Sequence, residues 1–197
     1  MVATEADAAG APQGTRLTYL DLISAKNAAL EDTLVAGTMP DARRLAGWEF
    51  RGFNTPEVLQ LAGIRKFKKG FFREDPSRPH EAGIQGYNVN VVQGTLGDPW
   101  VDALKNGKPV RMGWYETRAV DLAEPDGKYP NAALINYAAS DKNPVIDPTR
   151  LLRDYLVQVY PDNPDLYLGK AFLAFGPLRL FVSYFVLERH NPSELAA

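Results

Sequence analysis

The chain has no cysteine, which excludes disulfides, thiol nucleophiles and thiolate metal sites. Histidine is nearly absent. Only His80 and His190 occur, one in a loop stretch and one near the C-terminal end, so no histidine-based metal site is expected. There is no Gly-x-Ser-x-Gly elbow, and Gly83 and Gly86 stand alone rather than in a phosphate-binding loop. Nicotinamide and nucleoside-triphosphate chemistry are therefore not expected, nor is any cofactor. Strong charge of one sign is also missing. A net charge of −2 gives no general pull toward nucleic acid or an anionic membrane. No apolar run approaches the ~20 residues of a membrane helix, so no integral membrane segment is expected. Asn191-Pro192-Ser193 has proline in the middle position and is not a glycosylation acceptor.

Residues 1–16 carry Ala, Gly, Thr and acidic side chains, with neither a basic start nor an apolar centre. They are expected to be a disordered tail rather than a signal peptide, which makes the cytoplasm the default location. Residues 17–190 are expected to form one domain, and 191–197 a short C-terminal tail.

What the chain does have is a strongly apolar last third. Leu166–Phe175 and Leu178–Arg189 are two long runs joined by Gly176-Pro177. Neither alternates cleanly between apolar and polar residues, so both faces of each strand need cover. Closure into a barrel covers one face. A helix laid outside, or a second subunit in a homodimer, covers the other. Leu17–Val35 supplies a helical pattern, with Leu20, Ile23, Leu30 and Leu34 on one stripe, Asn27 interrupting it, and Gly37 and Pro40 marking its end.

Further strands are expected at Trp48–Phe53, Ile64–Arg73, Gly83–Gln93, Val110–Val120, Ala132–Ala138 and Leu151–Val159. The last of these also fits a helix, and its turn-like surroundings favour a strand. Thr55-Pro56-Glu57 predicts a short helix to about Leu61. Asn106-Gly107 predicts a hairpin leading into the Val110 strand. On that strand Met112, Trp114 and Glu116 share one expected face, and Gly113, Tyr115 and Thr117 the other. The sum is a mainly β protein: about eight antiparallel strands in up-and-down order, with N-terminal helices packed on the barrel.

At Gly47-Trp48 and Arg189 the chain resembles the calycins, the lipocalin-like group of ligand-holding barrels. Lipocalins carry a glycine and a tryptophan in their first strand, and a basic residue from near the end of the barrel packs over that tryptophan. Here the glycine and tryptophan are adjacent rather than separated by one residue, and the helices precede the barrel. The stretches Gly47–Gly52 and Gly63–Gly70 are also similar to those of uncharacterised bacterial proteins of this barrel type. The resemblance spans roughly residues 45–190 and implies a fold, with no known activity.

Several side chains are candidates for chemistry. Asn88, Asn90 and Asn136 lie on strand interiors, where asparagine is depleted. Facing inward they would orient a ligand; facing outward they would meet water. Arg153 and Asp154 interrupt an apolar run and need partners. One of them, facing inward, would anchor a ligand or act as acid or base, while an ion pair to Lys170, Arg179 or Glu188 is the structural alternative. Tyr115, Tyr137 and Tyr184 are mid-strand phenols that either bond a ligand or pack the wall. Trp48, Trp114 and Phe172 would line an apolar interior. The dense run Arg65, Lys66, Lys68, Lys69 and Arg73 would hold an anionic head group or an acidic partner, or else form a solvated strand edge.

Three functions follow as expectations. The first is binding of a small, largely apolar molecule, such as a fatty acid, polyketide or terpenoid. The second is a cofactor-independent cyclase, isomerase or decarboxylase on the same barrel, with Asp154, Glu116, Tyr115 or Tyr184 as acid or base. A carboxylate in the cavity with a raised pKa would favour this enzyme, and an all-neutral cavity the binder. The third is a partner-docking module with a filled barrel.

Overall fold

The computed structural model describes residues 16–55, 64–75, 77, 79 and 83–195. The short helix expected from Pro56 to Leu61, and His80, lie outside the described residues. Three short helices, α1 (Tyr19–Ser24), α2 (Asn27–Ala36) and α3 (Ala42–Leu45), precede ten strands. These are β1 (Trp48–Asn54), β2 (Lys66–Phe72), β3 (Ile84–Asn90), β4 (Leu104–Lys105), β5 (Lys108–Pro109), β6 (Arg111–Ala119), β7 (Ala133–Asn136), β8 (Leu152–Gln158), β9 (Leu166–Phe175) and β10 (Leu178–Pro192). Eight of them close a barrel in the order β1-β2-β3-β6-β7-β8-β9-β10, and β10 returns to β1. Every pairing is antiparallel between chain neighbours, once the β4–β5 hairpin is set aside as an insertion.

Asn106 and Gly107 both take positive φ, 54° and 75°, the conformation a two-residue hairpin turn needs. The expected hairpin exists but joins only the two-residue β4 and β5, and barrel strand β6 starts after it. The ambiguous segment at 151–159 is strand β8, entered through a 3₁₀ turn at Pro148–Leu151. β7 is shorter than expected and gives way to a 3₁₀ turn at Tyr137–Ala139. β10 runs on to Pro192, beyond the end expected at Arg189, and the Ser193 amide bonds the Gly47 carbonyl.

The N-terminal helix is two helices. Thr18 and Asp21 cap α1 reciprocally, the Asp21 carboxylate accepting from the Thr18 amide at 2.8 Å. Ala25 and Lys26 are extended, and the chain restarts as α2. The break lets α1 lie on β10 and α2 on β9. It also changes the apolar stripe: Leu20 faces solvent, and Tyr19 and Leu22 are buried in its place. Tyr19, Leu22, Ile23, Leu30 and Leu34 pack with Leu168, Phe172, Tyr184 and Val186 on the outside of the barrel. That outer layer is why β9 and β10 read as apolar on both faces.

Beneath α2, Glu31 accepts hydrogen bonds from Lys170 Nζ (2.6 Å), Tyr129 Oη (2.9 Å) and the Tyr184 hydroxyl. Burial alone would raise its carboxyl, but the three donors outweigh burial and hold it below the ordinary 4.5. A depressed carboxyl contributes stability above the ordinary carboxylate range, and that contribution is lost as pH falls through the depressed value. Urea midpoints taken from neutral pH down to about pH 3 are expected to separate wild type from Glu31→Gln near neutrality and to converge in acid. A constant gap across the range would refute the tie.

Among the described residues, the barrel is closed at the α3 end. There Leu45 of α3, Phe50, Phe71, Ile84, Tyr115, Ile135, Leu156, Tyr167 and Leu187 form a continuous packed interior. Arg189 seals it from outside. Its guanidinium lies 4.4 Å from the Trp48 ring centroid, donates to the Arg44 carbonyl of α3 at 2.9 Å, and pairs with Asp165. The tryptophan–arginine contact expected of Gly47-Trp48 and Arg189 is therefore present.

Candidate functional site

Strand alternation carries Phe67, Lys69 and Phe71 of β2 inward, with Asn88 and Asn90 of β3 and Asp154 of β8. Gly113 has a φ of +52° and sits in a register shift between β3 and β6. The bulge flips the strand's parity, so Met112 faces inward along with Tyr115, contrary to simple alternation. Trp114 turns outward against Phe72 and Tyr87.

The end of the barrel opposite α3 holds a half-open cavity of about 190 Å³. Its walls are Ile64, Phe67, Met112, Leu152, Ala171, Val182 and Phe185, with polar atoms from Asn54, Asn88, Asn90, Tyr137, Thr149, Ser183, Lys69 and Asp154. Ile64 and Met112 are partly exposed at its rim.

Deepest are three bonded groups. Lys69 Nζ donates to Tyr137 Oη at 2.7 Å and to Asp154 Oδ2 at 3.3 Å. Tyr137 Oη in turn donates to Asp154 Oδ2 at 2.9 Å, and Asn88 Nδ2 donates to Tyr137 Oη at 3.3 Å. Lys69 is 1% exposed and Asp154 3%, so the pair is inside the protein and not at its surface. Rings of Tyr115 (4.5 Å), Tyr137 (5.1 Å) and Phe185 (5.4 Å) surround the ammonium. Among the described residues, Asp154 Oδ1 and Ser183 Oγ have no hydrogen-bond partner.

Burial pushes the Lys69 ammonium below its ordinary value, and the nearby Asp154 offsets this only in part. Burial likewise raises the Asp154 carboxyl, against the opposing pull of Lys69 and Tyr137. The Tyr137 phenol is raised well above the usual value by burial and by the Asp154 charge. Both shifts of the lysine–aspartate pair lower the cost of passing a proton from Lys69 to Asp154 through the phenol.

The twelve residues expected to form a site divide. Asn88, Asn90, Tyr137 and Asp154 meet in the cavity. Tyr115 is inside the barrel but in the packed section, its hydroxyl donating to the Gly70 carbonyl at 2.9 Å. Trp48 lies at the closed end under Arg189. The other six are outside, because their strands present the opposite parity. Tyr184 bonds Glu31 beneath α2, and Phe172 packs in the same outer layer. Glu116 is exposed. Trp114 is on the outer wall, its backbone bonded to the Asn143 side chain. Asn136 caps the following 3₁₀ turn through the Ala138 amide. Arg153 shares Asp126 with Arg179, and the cross-sheet partner expected for Asp154 is instead Lys69, across the barrel interior.

Lys69 is the residue that sequence reading did not isolate. It belongs to the basic run expected to be a solvated edge, and a closed barrel has no edge. Lys66 Nζ donates to the carbonyls of Thr95, Asp98 and Pro99 and lies 4.1 Å from the Trp100 ring centroid. Lys68 pairs with Glu49 at 2.6 Å and Asp102 at 2.7 Å. Lys66, Lys68 and Lys69 are all buried. The available signal was parity: Lys69 lies between Phe67 and Phe71 on one face.

Fold and site together define a closed eight-stranded antiparallel barrel with a small cavity at one end and a buried lysine–tyrosine–aspartate cluster. No protein-family model and no functionally described protein matches the sequence. Among the described residues no helix is long and apolar enough to cross a membrane, and no cluster of acidic and histidine side chains is placed to hold a metal ion.

Proposed function

We propose that this is a calycin-like barrel that binds a small, largely apolar molecule with a neutral hydrogen-bonding end. The carrying observation is an apolar-walled cavity whose polar groups converge on one cluster. Two physical arguments narrow the ligand. An apolar cavity of about 150 Å³ holds a benzene ring, so the roughly 190 Å³ here suits a molecule near one substituted ring in size rather than a long fatty acid. Lys69 and Asp154 compensate each other, so no spare cation remains for a carboxylate. A carbonyl or hydroxyl oxygen suits the Ser183 hydroxyl, which lines the cavity and has no partner among the described residues. The docking-module reading is weaker, because it requires a filled barrel and an accessible basic strand, and three of that strand's lysines are buried.

A thermal-shift panel of one-ring ketones, aldehydes and alcohols tests the proposal. At a hundredfold excess over Kd a ligand is expected to raise Tm by about 5–10 °C. Val182→Phe, which projects into the cavity, is expected to abolish that shift while leaving the far-ultraviolet spectrum unchanged. Shifts that persist in Val182→Phe would place binding elsewhere.

The enzyme reading is favoured by one observation. Asp154 is a buried carboxyl with a raised value, one hydrogen bond from a phenol. It predicts that Asp154→Asn keeps ligand and loses turnover.

A further inference from the structure

Lys69 is placed where a structural lysine has little reason to be. A barrel interior can be filled by Leu or Phe without desolvating a charge. Here one amine is held in a cavity among aromatic rings, 2.7 Å from a phenol oxygen that is itself 2.9 Å from a carboxylate. The carboxylate's second oxygen has no partner among the described residues. An amine, a proton relay and an unfilled acceptor beside a cavity are the parts needed for amine–carbonyl condensation.

We propose that Lys69 forms an imine with a small aldehyde or ketone bound in the cavity. The inference rests on the binding reading above and names its substrate class. In the step, Lys69 passes a proton through Tyr137 to Asp154 and becomes the free amine. Its nitrogen pair attacks the carbonyl carbon, the π bond opens onto oxygen, and the proton that the now positively charged nitrogen gives up passes to that oxygen, giving a neutral carbinolamine with Asp154 still protonated. Asp154, through Tyr137, supplies the proton with which the hydroxyl leaves as water, while the nitrogen pair forms the C=N bond. The sum is ammonium plus carbonyl giving iminium plus water. No electrons are exchanged, the positive charge stays on nitrogen, and the Asp154 carboxylate remains its counter-ion. Burial lowers the Lys69 pKa and raises that of Asp154, and both changes favour the first transfer.

The experiment uses the full-length protein with hexanal and benzaldehyde in the presence of cyanoborohydride, followed by intact mass and peptide mapping. Hexan-1-ol and benzyl alcohol, read by thermal shift, serve as non-carbonyl partners. The expected result is a single reduced adduct per chain at Lys69, formed roughly tenfold or more faster than at the exposed Lys26, Lys105 and Lys108. Tyr137→Phe is expected to slow the adduct at Lys69 and move its pH profile while leaving the labelling rates of the exposed Lys26, Lys105 and Lys108 unchanged. Labelling of Lys69 no faster than of the exposed lysines overturns the imine. If the alcohols still bind, the binding reading survives that failure. If neither alcohols nor aldehydes bind and Lys69 stays unlabelled, both readings fail. The comparison among lysines is internal to the wild-type chain, so it does not depend on any variant folding.

Discussion

Asp154→Ala is expected to destabilise the protein by about 3–5 kcal/mol, and Lys69→Met by a similar amount at neutral pH. Each substitution leaves one partner of a buried pair without its counter-charge. The double variant Lys69→Met/Asp154→Leu is expected to recover most of the loss, since two apolar side chains in that interior need no compensation. Urea unfolding of all four proteins gives the coupling directly. The single variants also differ in their pH dependence. In Lys69→Met the stranded Asp154 is relieved by protonation, so its deficit shrinks as pH falls through the raised carboxyl value. Additive losses in the double variant would show that Lys69 and Asp154 do not depend on each other. That outcome would remove the basis of the proposed site.

The second large effect lies in the glycines covered by aromatic rings from the neighbouring strand. In register, Gly169 of β9 stands opposite Phe185 of β10, and Gly86 of β3 opposite Tyr115 of β6. A Cβ on Gly169 would fall 2.0 Å from Phe185 Cζ, and one on Gly86 2.0 Å from Tyr115 Cε2 and 2.6 Å from the Gly70 carbonyl oxygen. The rings lie over the glycines because nothing projects there. Overpacking of this kind costs about 1–3 kcal/mol and sometimes more. Gly169→Ala and Gly86→Ala are both expected at or above the upper end of that range. Gly97→Ala is the control, because a Cβ there meets only Thr95 Oγ1 at 3.9 Å; it is expected within about 0.5 kcal/mol of wild type. Combining Gly169→Ala with Phe185→Leu should restore part of the loss. If Gly169→Ala were as mild as Gly97→Ala, the packing described for this wall would be wrong.

Much of the barrel is legible along the chain. Each expected barrel strand has its counterpart, because β-branched and aromatic runs bounded by Gly, Pro and Asn are local signals that barrel closure does not overrule. The doubly apolar β9 and β10 announce two layers of cover, and α1 and α2 supply the outer one. Asp154 announces itself as a carboxylate in an apolar run, since a charge there needs a partner wherever the chain takes it.

Which face points inward is far less legible. Parity along a strand is reset by a single extra residue, so the bulge at Gly113 moves Met112 into the cavity and leaves Trp114 outside. When both faces are apolar, composition cannot tell wall from lumen, which is why Phe172 and Tyr184 read as lining and belong to the outer layer under α2. The basic run shows the same ambiguity. Lys66, Lys68 and Lys69 are consecutive or nearly so, and they end in separate places: under backbone carbonyls, against Glu49, and inside the barrel beside Asp154. Local propensity and spacing therefore determine the strands, their order and the closed architecture, because those depend on interactions between near neighbours. The cluster of Lys69, Tyr137 and Asp154 comes from β2, the 3₁₀ turn after β7, and β8, with Lys69 85 residues from Asp154. Only barrel closure brings such distant groups within hydrogen-bond reach, so only the tertiary structure decides the site.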